Sequence, residues 1–192
     1  MTTVRLKASD GFECPAYVAQ PKGKPKGAVV VIQEIFGVNP HIREVVDGYA
    51  AAGYFAIAPA MFHRAKHGVE LGYTADDMQA GMALKAAIEA LPDMAFMADV
   101  QAAVKYAHQT SGAKVGVVGY CWGGLLTWRA AALVQGLSAA VPYYGAAPAA
   151  EDVPKIKASL LLHYAGIDER INAGIPAFEA ALKAATKDYK LY

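Results

Sequence analysis

The stretch "KVGVVGYCWGGLLTW", Lys114 to Trp128, combines three signals in fifteen residues. A β-branched apolar run stops at Gly119, a cysteine stands at 121 between glycines at 119, 123 and 124, and a helix-forming apolar segment follows. A continuous β-branched run marks a strand buried on both faces, as in a parallel sheet. The glycines let strand and helix pass where a Cβ would clash, and the tight turn lifts the thiol above the sheet edge. The first amides of the helix then point at the sulfur, where they favour a thiolate and can bind an oxyanion.

Outward from this turn, strand and helix signals alternate. Upstream, "TVRLKA" and "ECPAYVAQ" alternate around "SDGF" and read as an antiparallel hairpin, its Pro15 suited to an edge. "GAVVVIQ" is a second buried strand, and "NPHIREVVDGYAAAG" a helix with Asn39 as N-cap, Pro40 at its first position and Gly53 at its end. "YFAIAP" is a short buried strand, followed by a polar, aromatic-bearing loop from Met61 to Tyr73. Helices are expected from Thr74 to Glu89 and from Met94 to Gln109. Downstream, "LSAAVPYYG" and "ASLLLHYAG" read as strands, "IPAFEAALKAAT" as a helix and "DYKLY" as the start of one more strand. The pattern predicts one α/β domain over residues 1–192, with a mostly parallel central sheet, helices on both faces and the hairpin at the N-terminal edge. The residues stop inside an expected strand, which predicts a further C-terminal segment.

Composition narrows the classes. Hydrophobic residues make up 55% and charged residues 18% of the chain, which fits a packed interior rather than disorder. The net charge of +1 gives no electrostatic case for nucleic acid or an anionic membrane. The basic run "PKGKPKG" reads as a solvated loop. Two cysteines make no disulfide framework, and no uninterrupted apolar run reaches the roughly 18 residues of a membrane span. With no apolar leader in "MTTVRLKASDG", a cytoplasmic location and reduced thiols are expected. No zinc spacing, phosphate loop or dinucleotide fingerprint occurs, so no metal or cofactor is expected.

Gly-x-Cys-x-Gly between strand and helix is the thiol form of the nucleophile elbow of α/β-hydrolases, and Cys121 is the candidate nucleophile. Cys14, in an edge strand before Pro15, reads as an inert packed thiol. A triad acid should follow the nucleophile, and Asp168 in "LLLHYAGIDERI" sits just after a buried strand, with Glu169 beside it as a rival. Glu34 is a carboxylate between "VVVIQ" and "IFG", where burial is costly without a partner. The base is missing: of His41, His63, His67, His108 and His163 none follows Asp168, and only His63 and His67 lie in a loop long enough to reach a site.

"QEIFGVN", "GYCWGG", "VPYYG" and "GIDE" together resemble the dienelactone hydrolase family, in order and from the first hairpin to the last residue. The resemblance implies an α/β-hydrolase fold and a Cys–His–Asp triad. It also implies hydrolysis of an ester or lactone, the type reaction being that of carboxymethylenebutenolidase, dienelactone to maleylacetate in chloroaromatic breakdown. Carried over, Cys121 is the nucleophile and Asp168 the triad acid, and Glu34 holds the thiol at rest and accepts its proton. The amides of Ile35 and Trp122 form the oxyanion hole, Arg64 grips a substrate carboxylate and Tyr144 lines the pocket. The family's histidine follows the strand begun by "YKLY", with a second arginine beyond it, and neither is among these residues. A small carboxylate-bearing ester or lactone is thus the expected partner and a monomer the expected state. The rival readings are a ligand-binding or thiol-sensing protein on the same fold, and a hydrolase of a different ester.

Overall fold

The computed structural model describes residues 2–147 and 150–192. Eight strands form one sheet in the order β1-β2-β4-β3-β5-β6-β7-β8. They are β1 (Thr2–Lys7), β2 (Glu13–Ala19), β3 (Ala28–Ile32), β4 (Phe55–Pro59), β5 (Val115–Tyr120), β6 (Leu137–Tyr143), β7 (Ser159–Leu162) and β8 (Tyr189–Leu191). The pairs β1–β2 and β2–β4 are antiparallel, and every pair from β4 to β8 is parallel. The expected hairpin is therefore the antiparallel edge of a parallel sheet, and "DYKLY" supplies the opposite edge. The most apolar runs take the centre: Val30, Val31 and Ile32 of β3 are fully buried between β4 and β5.

The two faces are covered differently. On one, α1 (Pro40–Ala51) lays Ile42, Val46 and Ala50 over Val31, Ala56, Ala58 and Val118. Asn39 caps it as expected, its Oδ1 accepting the Ile42 amide at 3.1 Å. On the other face lie α3 (Phe96–Ser111), α4 (Trp122–Leu133) and α6 (Ile175–Ala184). Trp128 of α4 is fully buried and meets Phe178 of α6 edge to face at 4.2 Å, which clamps the C-terminal third of the chain to the central layer. The remaining helices are α2 (Ala75–Glu89), with a complete capping box between Thr74 and Asp77, and the single turn α5 (Glu169–Asn172). The helix expected from Met94 begins later, at Phe96, after a 3₁₀ turn over Pro92–Met94. Among the described residues no helix is long and apolar enough to cross a membrane.

Two helical glycines separate packing from propensity. Gly48 in α1 is exposed with open space around it, whereas a Cβ on Gly123 in α4 would strike the carbonyl oxygens of Ile32 and Gln33 at the end of β3. We expect Gly48→Ala to raise the melting temperature, since Ala is about 1 kcal/mol better than Gly in a helix. Gly123→Ala should lower it despite the same propensity gain, as thermal unfolding followed by circular dichroism will read.

Candidate active site

Cys121 stands between β5 and α4 with φ +56° and ψ −116°. For a residue with a Cβ this backbone is strained by about 1–3 kcal/mol and persists only where the surroundings over-determine it. Here they do. The Cys121 amide donates to the Tyr143 carbonyl at 3.1 Å, and its own carbonyl accepts the Gly124 amide at 2.9 Å. A Cβ on Gly119 would meet the Gly123 carbonyl and Thr127, so the strand can enter the helix this closely only without one. Trp122 fixes the start of the helix: it is buried, stacks on Phe62 at 5.1 Å and donates from Nε1 to Glu89 Oε1 at 3.1 Å. Its backbone amide points at the Cys121 sulfur.

The thiol is exposed at the end of the sheet but hemmed in by its neighbours. Desolvation pushes its pKa above the ordinary thiol value. The Trp122 amide pulls it down, the Glu34 charge pushes it up, and Arg170 and Lys85 pull it down; the net direction is up. Cys121 therefore rests as a neutral thiol near pH 7. Glu34 does not hold it there. Among the described residues no hydrogen bond joins Glu34 to Cys121; the Glu34 carboxylate accepts instead from the Tyr73 hydroxyl at 3.0 Å. The turn carrying Glu34 and Ile35 is fixed by Gln33, which accepts the Met61 amide at 3.1 Å and donates to the Glu34 carbonyl at 3.1 Å. Ile35 is buried, and α2 crosses over it where Gly81 lies against its carbonyl.

Tyr144, with φ +41°, is 37% exposed and lies within the field of Glu34 and Cys121. Desolvation first, then the charges of Glu34 and Cys121, push its hydroxyl up to about 12. Asp168 lies in the loop after β7 and serves as N-cap of α5, its Oδ1 accepting the Ile171 amide at 3.1 Å. Among the described residues no histidine is hydrogen-bonded to Asp168 or Cys121. His163 is stacked between Tyr143 (4.5 Å) and Tyr192 (5.2 Å). His63 and His67 stack on each other at 3.9 Å near Phe12, toward the β1–β2 edge rather than β5, so neither serves as the base in this arrangement. Nor, among the described residues, do three His, Cys, Asp or Glu side chains converge as a metal shell would.

Arg64 corrects an expectation. Its guanidinium is occupied by two carboxylates, Asp99 at 2.7 and 2.8 Å and Asp10 at 2.7 and 3.2 Å, and it lies over the Phe12 ring at 4.2 Å. The Arg64 side chain is only 9% exposed and that of Asp99 1%. This network ties the loop after β4 to α3 and to the hairpin turn, and leaves no fork free for a substrate. The cations whose field reaches Cys121 are Arg170 and Lys85. Sequence reasoning passed over both, along with Tyr73, because nothing in the chain brings them near residue 121.

The chain is similar to known proteins over nearly its whole length. A sequence model of the dienelactone hydrolase family matches residues 14–192. The carboxymethylenebutenolidase of Pseudomonas putida is 36% identical over 88% of this chain and 72% of its own. A Methylorubrum extorquens protein assigned the same activity is 34% identical over 98% of this chain and 68% of its own, and one from Synechocystis is 36% identical with 59% of its length spanned. Among solved structures, a protein of Klebsiella pneumoniae assigned as a dienelactone hydrolase superposes with a TM-score of 0.84 at 28% identity, over all of this chain and 83% of that one.

Two outcomes follow from these contacts. In the native protein iodoacetamide should label Cys121 alone, with a pH midpoint above the roughly 8.5 of a free thiol. Burial pushes Cys14 up to about 12, out of reach. A midpoint below that of a free thiol, read by intact mass, would contradict the burial and Glu34 effects. Arg64→Ala should destabilise the fold by about 3–5 kcal/mol, because it strands the buried Asp99 charge; urea unfolding measures it.

Proposed function

The chain belongs to the dienelactone hydrolase family, and we propose that it cleaves a carboxylic ester or lactone with Cys121 as nucleophile. The observation that carries this is the strained backbone of Cys121 at the carboxyl end of a central parallel strand, with the Trp122 amide aimed at its sulfur. A packed, inert thiol needs neither feature.

The reaction runs in two halves. The thiol proton passes to a carboxylate, for which Glu34 is the acceptor at hand, and the sulfur pair attacks the acyl carbon. The carbonyl oxygen becomes an oxyanion between the Ile35 and Trp122 amides, which act without reorganising because both sit in fixed turns. The ester C–O bond then breaks, the leaving oxygen takes the proton held by Glu34, and water attacks the thioester, its hydroxyl going to the acyl carbon and its proton to the sulfur, to release the acid and restore the thiol. The second half needs a base. Asp168 is placed to orient an imidazole for that task, and among the described residues no histidine is hydrogen-bonded to it. The Tyr192 carbonyl accepts the Tyr164 amide at 3.1 Å, which ties the end of β8 to the loop that carries Asp168.

A carboxylate on the substrate would meet Arg170 rather than Arg64, since Lys85 already donates to Glu89 at 2.8 Å. A carboxylate-bearing dienelactone is the first substrate to test, in view of the Pseudomonas putida relative. With it, Arg170→Ala should raise KM severalfold, while Arg64→Ala should leave KM unchanged in the protein that remains folded. Equal effects of the two would return the clamp to Arg64.

The protein should hydrolyse p-nitrophenyl acetate slowly. Cys121→Ala should reduce that rate by about a thousandfold, the scale on which a lost nucleophile acts. Free imidazole should raise it, since it replaces the base of the second half. A single burst that acetylates Cys121 without turnover, even with imidazole, would favour a thiol-sensing protein. Hydrolysis that survives Cys121→Ala would reject the proposal.

A further inference from the structure

Tyr73 lies just before α2, outside every motif that marks the site in the sequence. Its ring packs edge-on against Phe36 at 4.6 Å, and the residue is 58% exposed. Its hydroxyl is part of a directed chain. Asn39 Nδ2 approaches the hydroxyl oxygen at 3.4 Å, and the hydroxyl donates to Glu34 Oε2 at 3.0 Å. Asn39 cannot turn away: it is buried, its Oδ1 caps α1, and its Nδ2 also donates to the Leu71 carbonyl at 3.1 Å. With a donor on its oxygen, the Tyr73 hydroxyl keeps its hydrogen for Glu34.

We propose that Tyr73 is a positioning residue that parks Glu34 away from the Cys121 thiol, and that Glu34 reaches the sulfur only when this hydrogen bond opens. The inference rests on the reading of Cys121 as nucleophile and Glu34 as its proton acceptor. In the step concerned the S–H bond breaks, an O–H bond forms on Glu34, and the sulfur pair becomes free to attack. While Glu34 is held by Tyr73, the thiol proton has no acceptor within hydrogen-bond distance among the described residues. The resting enzyme thus keeps a neutral, slowly oxidised thiol, and activation waits on whatever displaces the Tyr73 hydroxyl.

The groups that face the thiol are Glu34 from the turn after β3, Lys85 from α2, Arg170 from α5 and the Tyr144 hydroxyl after β6. Of these only Glu34 is released by removing the Tyr73 hydroxyl. Once released, its carboxylate can accept the Cys121 S–H and take the proton as the sulfur attacks.

The test is a cycle of four proteins: native, Tyr73→Phe, Glu34→Gln and the double variant. Each is alkylated at Cys121 with iodoacetamide across the neutral and alkaline range and followed by intact mass. Tyr73 is more than half exposed, so its loss of a hydroxyl leaves the fold intact, which circular dichroism checks. We expect Tyr73→Phe to quicken alkylation of Cys121 near neutral pH about threefold or more when Glu34 is present, because the released carboxylate takes the thiol proton as the sulfur attacks. In the Glu34→Gln background the same change should have no effect. No change, a slower reaction, or an equal change in both backgrounds overturns the proposal, because a merely structural Tyr73 would act alike with either residue at 34. If the cycle behaves as expected but no ester is turned over, the hydrolase reading fails and the positioning role stands.

Discussion

The close approach of β5, α4 and the end of β3 is the constraint from which the rest of the site follows. Gly119 and Gly123 lie where any side chain would enter backbone, Gly123 against Ile32 and Gln33 and Gly119 against Gly123 itself. That contact sets Cys121 at φ +56° on the shortest link between a buried strand and the helix above it. It also brings the end of β3, and with it Glu34 and Ile35, alongside the first turn of α4. A looser junction would relax the cysteine into an ordinary turn and carry the two amides apart. The strain at residue 121 is thus maintained by a parallel sheet core that is apolar and fully buried on either side of it.

Charge in this protein is arranged so that the strongest cation is not in the site. Arg64 sits on the expected loop, yet two carboxylates saturate it, and its role is to join three segments that meet at the hairpin edge. At the thiol one carboxylate opposes two cations, the exposed Arg170 and the part-buried Lys85, and desolvation is the largest effect. A neutral resting thiol is the result. It distinguishes this site from those in which a helix N-terminus and a nearby cation hold a permanent thiolate.

The fold was legible because its signals are local. Continuous β-branched runs gave β3 and β5, alternation around "SDGF" gave the hairpin, and Asn39–Pro40 marked the start of α1. The elbow was legible for the same reason, since glycines, thiol and helix start fall within six residues. The fate of Arg64 was not, because Asp10 and Asp99 lie 54 and 35 residues away, and no pattern in the chain announces that they converge. Tyr73 was missed likewise: a tyrosine in a polar loop looks the same whether it faces solvent or a carboxylate 39 residues distant. The start of α3 was misplaced because Pro92 opens a 3₁₀ turn before the helix, and turn chemistry of that kind blurs a boundary by a residue or two.

The topology explains how Glu34, Cys121 and Asp168 come together from such distant parts of the chain. In a parallel sheet every strand ends on the same side, so the turns after β3, β5, β6 and β7 form one row whatever their order in sequence. Glu34, Cys121, Tyr144 and Asp168 occupy four successive places in that row, because β3, β5, β6 and β7 are neighbours in the sheet. Each turn is free to carry its own residue as long as its strand stays apolar. The chemistry can therefore change at one turn without disturbing the others, and the loop bearing Tyr73 can be altered without touching the elbow. β8 is the next strand in the same row and runs in the same direction, so its end lies on the same side as those four turns.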